Sequence, residues 1–211
     1  MNTNDFKSFD FHSKAIHEIF DKQKYLYKVF SEKIEKNAPE DFDINCFEDQ
    51  VYIKDFMFRF MEELTEATVD WNYKDHFYEE LLDSFNFLTL IFIIYGWDGN
   101  QLDEWNTGKP EESLIDWDPN KTKAIIRDEN KLKAKFYEVI EITGYSANLL
   151  KNRPWKQSQY MVDLYLLEPR LKSIWTKFNE LCNYCGLSFE KLYMIWSQKY
   201  QCNVFRMETG Y

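Results

Sequence analysis

Two pairs of acidic residues carry the clearest chemical signal in the sequence. The members of each pair are three residues apart, in Glu63-Leu-Thr-Glu66 and in Glu80-Leu-Leu-Asp83. Residues three apart lie on the same face of a helix, so each pair would direct two carboxylates to one side. The residues between the pairs, 67–79, leave room for one helix to end and an antiparallel helix to begin. We therefore expect four carboxylates to converge between two helices.

Four carboxylates at short range repel one another and need a compensating positive charge. A divalent cation that prefers oxygen ligands would supply it, and we expect Mg²⁺. Mg²⁺ bound by carboxylates commonly also holds a substrate phosphate. The two acidic pairs therefore favour metal-dependent chemistry on a nucleotide.

A solvated, charged helix face is the usual explanation for acidic residues in helices, and it is the alternative here. Apolar residues surround both pairs: Phe60, Met61 and Leu64 near the first, and Leu81, Leu82, Phe85 and Phe87 near the second. Carboxylates in such surroundings are partly buried or line a cleft. The spacing alone leaves both interpretations open.

Composition limits the class of protein. The 211 residues are 45% hydrophobic and 18% aromatic, enough for one domain, 1–211, with a substantial core. A net charge of -10 argues against a nucleic-acid partner. No apolar run approaches the roughly 18 residues that span a bilayer, so we expect no membrane association. The first residues contain no apolar signal segment, and we expect a cytoplasmic protein.

The four cysteines give little support to a zinc site. Cys182 and Cys185 have CxxC spacing, but Cys46 and Cys202 stand singly, and a zinc site would need a second pair. The three histidines form no HxxxH or HExxH pattern. We expect free thiols.

Apolar residues recur at helical spacing, which predicts an all-α bundle. The predicted helices cover residues 12–36, 47–69, 74–95, 158–185 and 189–205. Gly96 and Gly186 would end two of them, Ser188 would cap the last, and Pro169 would break or kink the helix that contains it.

The middle of the chain has a different character. Residues 98–119 are polar and rich in turn formers, which predicts a loop. A charged, exposed helix is predicted to follow, from Asp118-Pro119 to about Leu150. We interpret residues 98–155 as an insertion in the bundle.

Three polar residues form a stripe on the predicted last helix. Lys199, Asn203 and Arg206 are spaced i, i+4 and i+7. Lys and Arg suit a polyphosphate, and Asn203 could bond a phosphate or a sugar hydroxyl. The alternative is an ordinary helix end, where cations favour the C-terminal dipole, and on these residues alone it is preferred.

The order of these motifs resembles the all-α nucleotide pyrophosphatase superfamily. ExxE is followed by ExxD and then by the terminal segment Asn203-Val-Phe-Arg206 with its final Gly210-Tyr211. The likeness is greatest to the dimeric dUTPases and to the dCTP/dUTP pyrophosphatases of tailed phages. It covers residues 15–97 and 157–211, and the segment 98–155 has no place in the family's motifs.

The resemblance implies a homodimeric, Mg²⁺-dependent enzyme that converts dUTP or dCTP to the monophosphate and pyrophosphate, in the host cytoplasm if a phage encodes it. It assigns the metal to Glu63, Glu66, Glu80 and Asp83. It assigns phosphate and sugar contacts to Trp71, Lys74, Lys199, Asn203, Arg206 and Tyr211. Gln23 would contact the base, as the first residue of a Q-x-x-L-N motif, and Glu63 or Glu62 would be the general base.

Two positions depart from the family pattern. Met207 replaces a Gln that follows the Arg, and Tyr27 replaces the Asn that closes the base motif. The base therefore stays open among uracil, cytosine and modified pyrimidines. The departures also support an alternative, a non-catalytic nucleotide-binding or protein-interaction module on the same helical fold.

Overall fold

The chain forms an all-α bundle, as the helical spacing predicted, with one short β-ribbon. The computed structural model describes residues 3–33, 39, 42–70, 74–102, 113–117, 124–150 and 161–209. Its elements are α1 Thr3–Lys33, α2 Phe47–Asp70, α3 Lys74–Ile94, β1 Ile115–Trp117, β2 Ala124–Ile126, α4 Glu129–Leu149, α5 Leu164–Tyr184 and α6 Phe189–Thr209. None of the helices described is long and apolar enough to cross a membrane.

Helix α3 is the central element, because it is apolar on more than one face. It packs against α1, α2, α5 and α6. Its buried Phe85 stacks on Phe178 of α5 at 6.3 Å between ring centroids, and Phe92 meets the edge of Trp175 at 6.0 Å. Phe60 of α2 meets the same Phe178 at 5.7 Å. This aromatic core holds α2 and α3 side by side and so fixes the position of residues along their seam.

Glycines end α3 and α5 as the sequence predicted. Gly96 and Gly186 have φ of 86° and 70°, a conformation that L side chains rarely adopt. The amide of Trp97 donates to the carbonyl of Phe92, and the amide of Leu187 donates to that of Cys182. Both are the 6→1 hydrogen bond of a Schellman motif, so the two helices end in the same way.

The predictions for residues 98–150 are wrong in two places. Strands β1 and β2 pair antiparallel, with Ile115 opposite Ile126, where a loop and the start of a helix were expected. Helix α4 begins only at Glu129, because the side chain of Asp128 caps it by accepting from the amide of Lys131 at 2.9 Å. Three-residue strands are too short for alternation to show in a sequence.

Helix α4 is also not the exposed helix that its charge suggested. Leu132, Phe136 and Val139 are fully or almost fully buried in the main core. The ring of Phe136 meets that of Phe77 of α3 at 6.5 Å. The charged residues occupy the other face, where Lys133 pairs with Glu129. Helix α4, within the segment interpreted as an insertion, therefore packs into the core of the bundle.

Other helix boundaries differ from the prediction. Helix α1 begins at Thr3 rather than at residue 12, since no Gly or Pro interrupts residues 3–11. Helix α5 begins at Leu164, where Asp163 caps it, and α6 continues past residue 205 to Thr209. Pro169 lies within α5 and does not break it, because the helix runs on to Tyr184.

The four cysteines are free, as predicted. Cys182 and Cys185 are buried in the core, and burial raises the pKa of both thiols. They pack as small apolar side chains.

Candidate functional site

Three of the four predicted carboxylates meet at the seam of α2 and α3. Glu63 and Glu66 of α2 and Glu80 of α3 each offer an oxygen within 4.8 Å of the others. Glu63 and Glu80 also share a hydrogen bond. Only residues 71–73 separate the two helices, so Glu63 and Glu80 face each other across a hairpin. Glu63 and Glu80 are half-buried, whereas Glu66 is exposed.

The cluster holds more negative charge than its surroundings stabilise. Burial, the hydrogen bond to Glu80 and the charges of Asp83, Glu80 and Glu66 raise the pKa of Glu63 from 4.5 to about 8. Burial also raises the pKa of Glu80, although its hydrogen bond with Glu63 opposes the change. The cluster therefore retains a proton near neutral pH when no cation is bound.

Asp83, the fourth predicted carboxylate, lies beside the cluster and has a different partner. Its Oδ2 accepts from Nζ of Lys199 in α6 at 2.5 Å. Its Oδ1 accepts from Nδ2 of Asn86, one turn further along α3, at 3.4 Å. The charge of Asp83 still acts on the cluster, because it contributes to the raised pKa of Glu63.

Lys199 of α6 places a positive charge beside Asp83 of α3. Its Nζ also donates to Oε1 of Glu79 at 3.1 Å, and its side chain is only 18% exposed. Burial lowers the pKa of Lys199, but the hydrogen bonds with Asp83 and Glu79 outweigh it, so that the pKa is raised. Lys199 is therefore a permanent cation between α3 and α6.

A surface groove of about 450 Å³ lies between α3 and α6, next to Lys199. Its lining residues are Tyr78, Glu79, Leu82, Lys191, Ile195, Gln198, Lys199, Cys202 and Arg206. Arg206 is exposed and Asn203 is half-buried, both within the last turns of α6. Two of the three polar residues predicted on this helix, Lys199 and Arg206, therefore line the groove.

Gln23, which was predicted to contact the base, and Tyr27, which replaces the Asn of the base motif, are both engaged within the protein. Gln23 of α1 is 4% exposed, and its Nε2 donates to Oδ1 of Asn86 at 2.5 Å. The hydroxyl of Tyr27 donates to the carbonyl of Pro39 at 3.4 Å, and its ring meets that of Phe56. Sequence reasoning missed Asn86, although it follows Asp83 by three residues and so shares its helix face.

The remaining predicted site residues are less informative. Glu62 lies on α2 and is exposed, outside the three-carboxylate group. Trp71 and Tyr211 lie outside the described residues, as does the side chain of Lys74, which begins α3.

No family model, curated protein or solved structure matches this chain. The site's own chemistry is therefore the starting point for assigning a function.

The donor set suits a hard divalent cation. All three converging ligands are carboxylate oxygens, and the pKa of Glu63 is raised by its burial and by the neighbouring negative charges, which a bound cation would offset. Lys199 and Arg206 lie close enough to one groove to contact an anionic ligand bound there. A cation-dependent site for a phosphate ester fits both features.

Proposed function

We propose that this protein is a Mg²⁺-dependent deoxynucleoside triphosphate pyrophosphatase that converts dUTP, dCTP or both to the monophosphate and pyrophosphate. The observation that carries the proposal is the convergence of Glu63, Glu66 and Glu80 within 4.8 Å, with the pKa of Glu63 raised to about 8. The order of the ExxE, ExxD and terminal Asn-x-x-Arg motifs supports the same activity.

The cation would be held by Glu63, Glu66 and Glu80, with Asp83 completing the set. When bound, Mg²⁺ would neutralise these carboxylates and stabilise negative charge on the phosphoryl oxygens. The protein's own side chains would bind the triphosphate and accept the proton of the attacking water.

Lys199 and Arg206 would bind the triphosphate. Cleavage between the α- and β-phosphates leaves negative charge on the departing pyrophosphate, and charge-assisted hydrogen bonds from these two side chains would stabilise it. Asn203, Trp71, Lys74 and Tyr211 would add contacts to phosphate and sugar, as the family resemblance implies.

A carboxylate of the first pair would take the proton of the attacking water. Glu63, half-buried and hydrogen-bonded to Glu80, is one candidate for this general base. Glu62, exposed and adjacent in the chain, is the other candidate. Water would attack the phosphorus directly, without a covalent intermediate.

One set of observations favours a second candidate, a non-catalytic nucleotide-binding or protein-interaction module. Gln23 and Tyr27 are both engaged by other residues rather than left open for a base. The same feature leaves the choice among uracil, cytosine and a modified pyrimidine open in the enzyme proposal.

Pyrophosphate release from a panel of nucleoside triphosphates, with and without Mg²⁺, separates the two candidates. The enzyme proposal predicts release that depends on Mg²⁺ and is fastest with a pyrimidine deoxynucleotide. Saturable nucleotide binding without release from any triphosphate would instead support the binding module.

A further inference from the structure

Both oxygens of the Asp83 carboxylate are held by side chains. Oδ2 accepts from Lys199 of α6 and Oδ1 accepts from Nδ2 of Asn86. Asn86 in turn accepts, at its own Oδ1, from Nε2 of Gln23 in α1. A continuous hydrogen-bonded chain therefore runs from a buried residue of α1 to a carboxylate at the edge of the acidic cluster.

The direction of these bonds matters. Gln23 donates an N–H to the Asn86 carbonyl oxygen, which leaves the Asn86 amide nitrogen facing Asp83. In the opposite orientation the Asn86 carbonyl would face the carboxylate, and two acceptors would repel. Asp83 can only accept, so it requires the Asn86 amide nitrogen, and the 4% exposed Gln23 supports that orientation by donating to the Asn86 carbonyl oxygen.

We propose that Gln23 and Asn86 are positioning residues that orient Asp83 for cation binding. The proposal rests on the proposed function, and it gives Gln23 a task other than the base contact that the family resemblance implies. Residues that hydrogen-bond a ligating carboxylate fix its orientation and strengthen metal binding.

Two single variants and their combination test this role. Asn86→Leu and Gln23→Met keep the side-chain size and remove the hydrogen bonds, and Asn130→Leu at an exposed position of α4 is the control. The main measurement is Mg²⁺ affinity by titration calorimetry. The second is the ratio of kcat/KM for dUTP to that for dCTP. Circular dichroism checks that each variant is folded.

We expect Asn86→Leu to weaken Mg²⁺ binding about tenfold, and Gln23→Met to weaken it less. The double variant should bind no more weakly than Asn86→Leu alone, because Gln23 acts through Asn86. The ratio between dUTP and dCTP should stay the same in every variant. Asn86 is only partly buried, so Asn86→Leu remains decisive if Gln23→Met does not fold.

Three outcomes would overturn the inference. Unchanged Mg²⁺ affinity in Asn86→Leu, or a changed dUTP to dCTP ratio in Gln23→Met, would refute the positioning role while the proposed function stands. A wild-type chain that binds no Mg²⁺ would refute the proposed function, and the positioning role with it.

Discussion

Glu63 couples the charge of the acidic cluster to the stability of the metal-free protein. Its pKa is about 8 in the folded chain and near 4.5 when unfolded, so between these values the folded state holds a proton that the unfolded state has lost. Stability therefore falls as pH rises through this window. Glu80, whose pKa is also raised, acts in the same direction.

This predicts a specific melting behaviour. In EDTA, the melting temperature of the wild type should fall between pH 5 and pH 8, and Glu63→Gln should show a smaller fall because it has no carboxylate to ionise. Mg²⁺ should raise the melting temperature most at the high end of the range, where the carboxylates are free to bind it. Scanning calorimetry measures the melting temperatures of the wild type in EDTA, of Glu63→Gln in EDTA and of the wild type in Mg²⁺. Equal falls in wild type and Glu63→Gln would show that Glu63 does not carry the effect.

Lys199 gives a second prediction, because it pairs with Asp83 in the protein without a bound cation. Lys199→Met should bind Mg²⁺ more tightly, since a competing positive charge beside the cluster is removed. The same variant should hydrolyse triphosphates more slowly, since a phosphate contact is lost. Calorimetry and a kinetic assay measure the two effects separately. Weaker Mg²⁺ binding in Lys199→Met would instead mean that Lys199 supports the site.

Some of these residues could be predicted from the sequence and others could not. The acidic pairs were visible because three-residue spacing is local and survives in any helix. The pairing of Lys199 with Asp83 depends on α6 lying across α3, a contact between residues 116 apart in the chain. The same holds for Gln23 and Asn86, 63 apart, which no local pattern connects.

Helix α6 carries the predicted phosphate contacts, and Arg206 tests its role. Arg206 is exposed, so Arg206→Ala should leave the melting temperature nearly unchanged. Loss of a charged phosphate contact should lower kcat/KM about ten- to a hundredfold. Arg206→Lys, which keeps the charge but not the planar fork, should recover part of the loss. Full activity in Arg206→Ala would remove α6 from the substrate site.

The helices themselves were predictable where local chemistry ends them. Gly96, Gly186 and Ser188 act within one turn of the chain, and the structure places each at the expected helix end. The β-ribbon was not predictable, because it depends on the pairing of Ile115 with Ile126, which lie 11 residues apart in the chain. Helix α4 was predicted to be exposed because its three buried apolar residues, Leu132, Phe136 and Val139, are outnumbered by charged residues.

The whole molecule is expected to be a homodimer. Met194 and Phe205 of α6 are 63% and 65% exposed, and Phe205 lines a further surface groove of about 690 Å³. Large apolar side chains on one helix face favour burial against a partner. Light scattering at micromolar concentration should give about twice 25.7 kDa, and Phe205→Glu should shift the mass towards one chain. A wild-type mass of one chain would contradict the homodimer.

The central claim is that the three-carboxylate cluster carries out the hydrolysis. Its most direct test is Mg²⁺-dependent pyrophosphate release by the wild type, by Glu66→Gln, and by Glu129→Gln as a matched control on α4. Glu66 is exposed, so Glu66→Gln should stay folded while losing at least about a hundredfold in rate, and Glu129→Gln should match the wild type. Equal rates in wild type and Glu66→Gln would contradict the account.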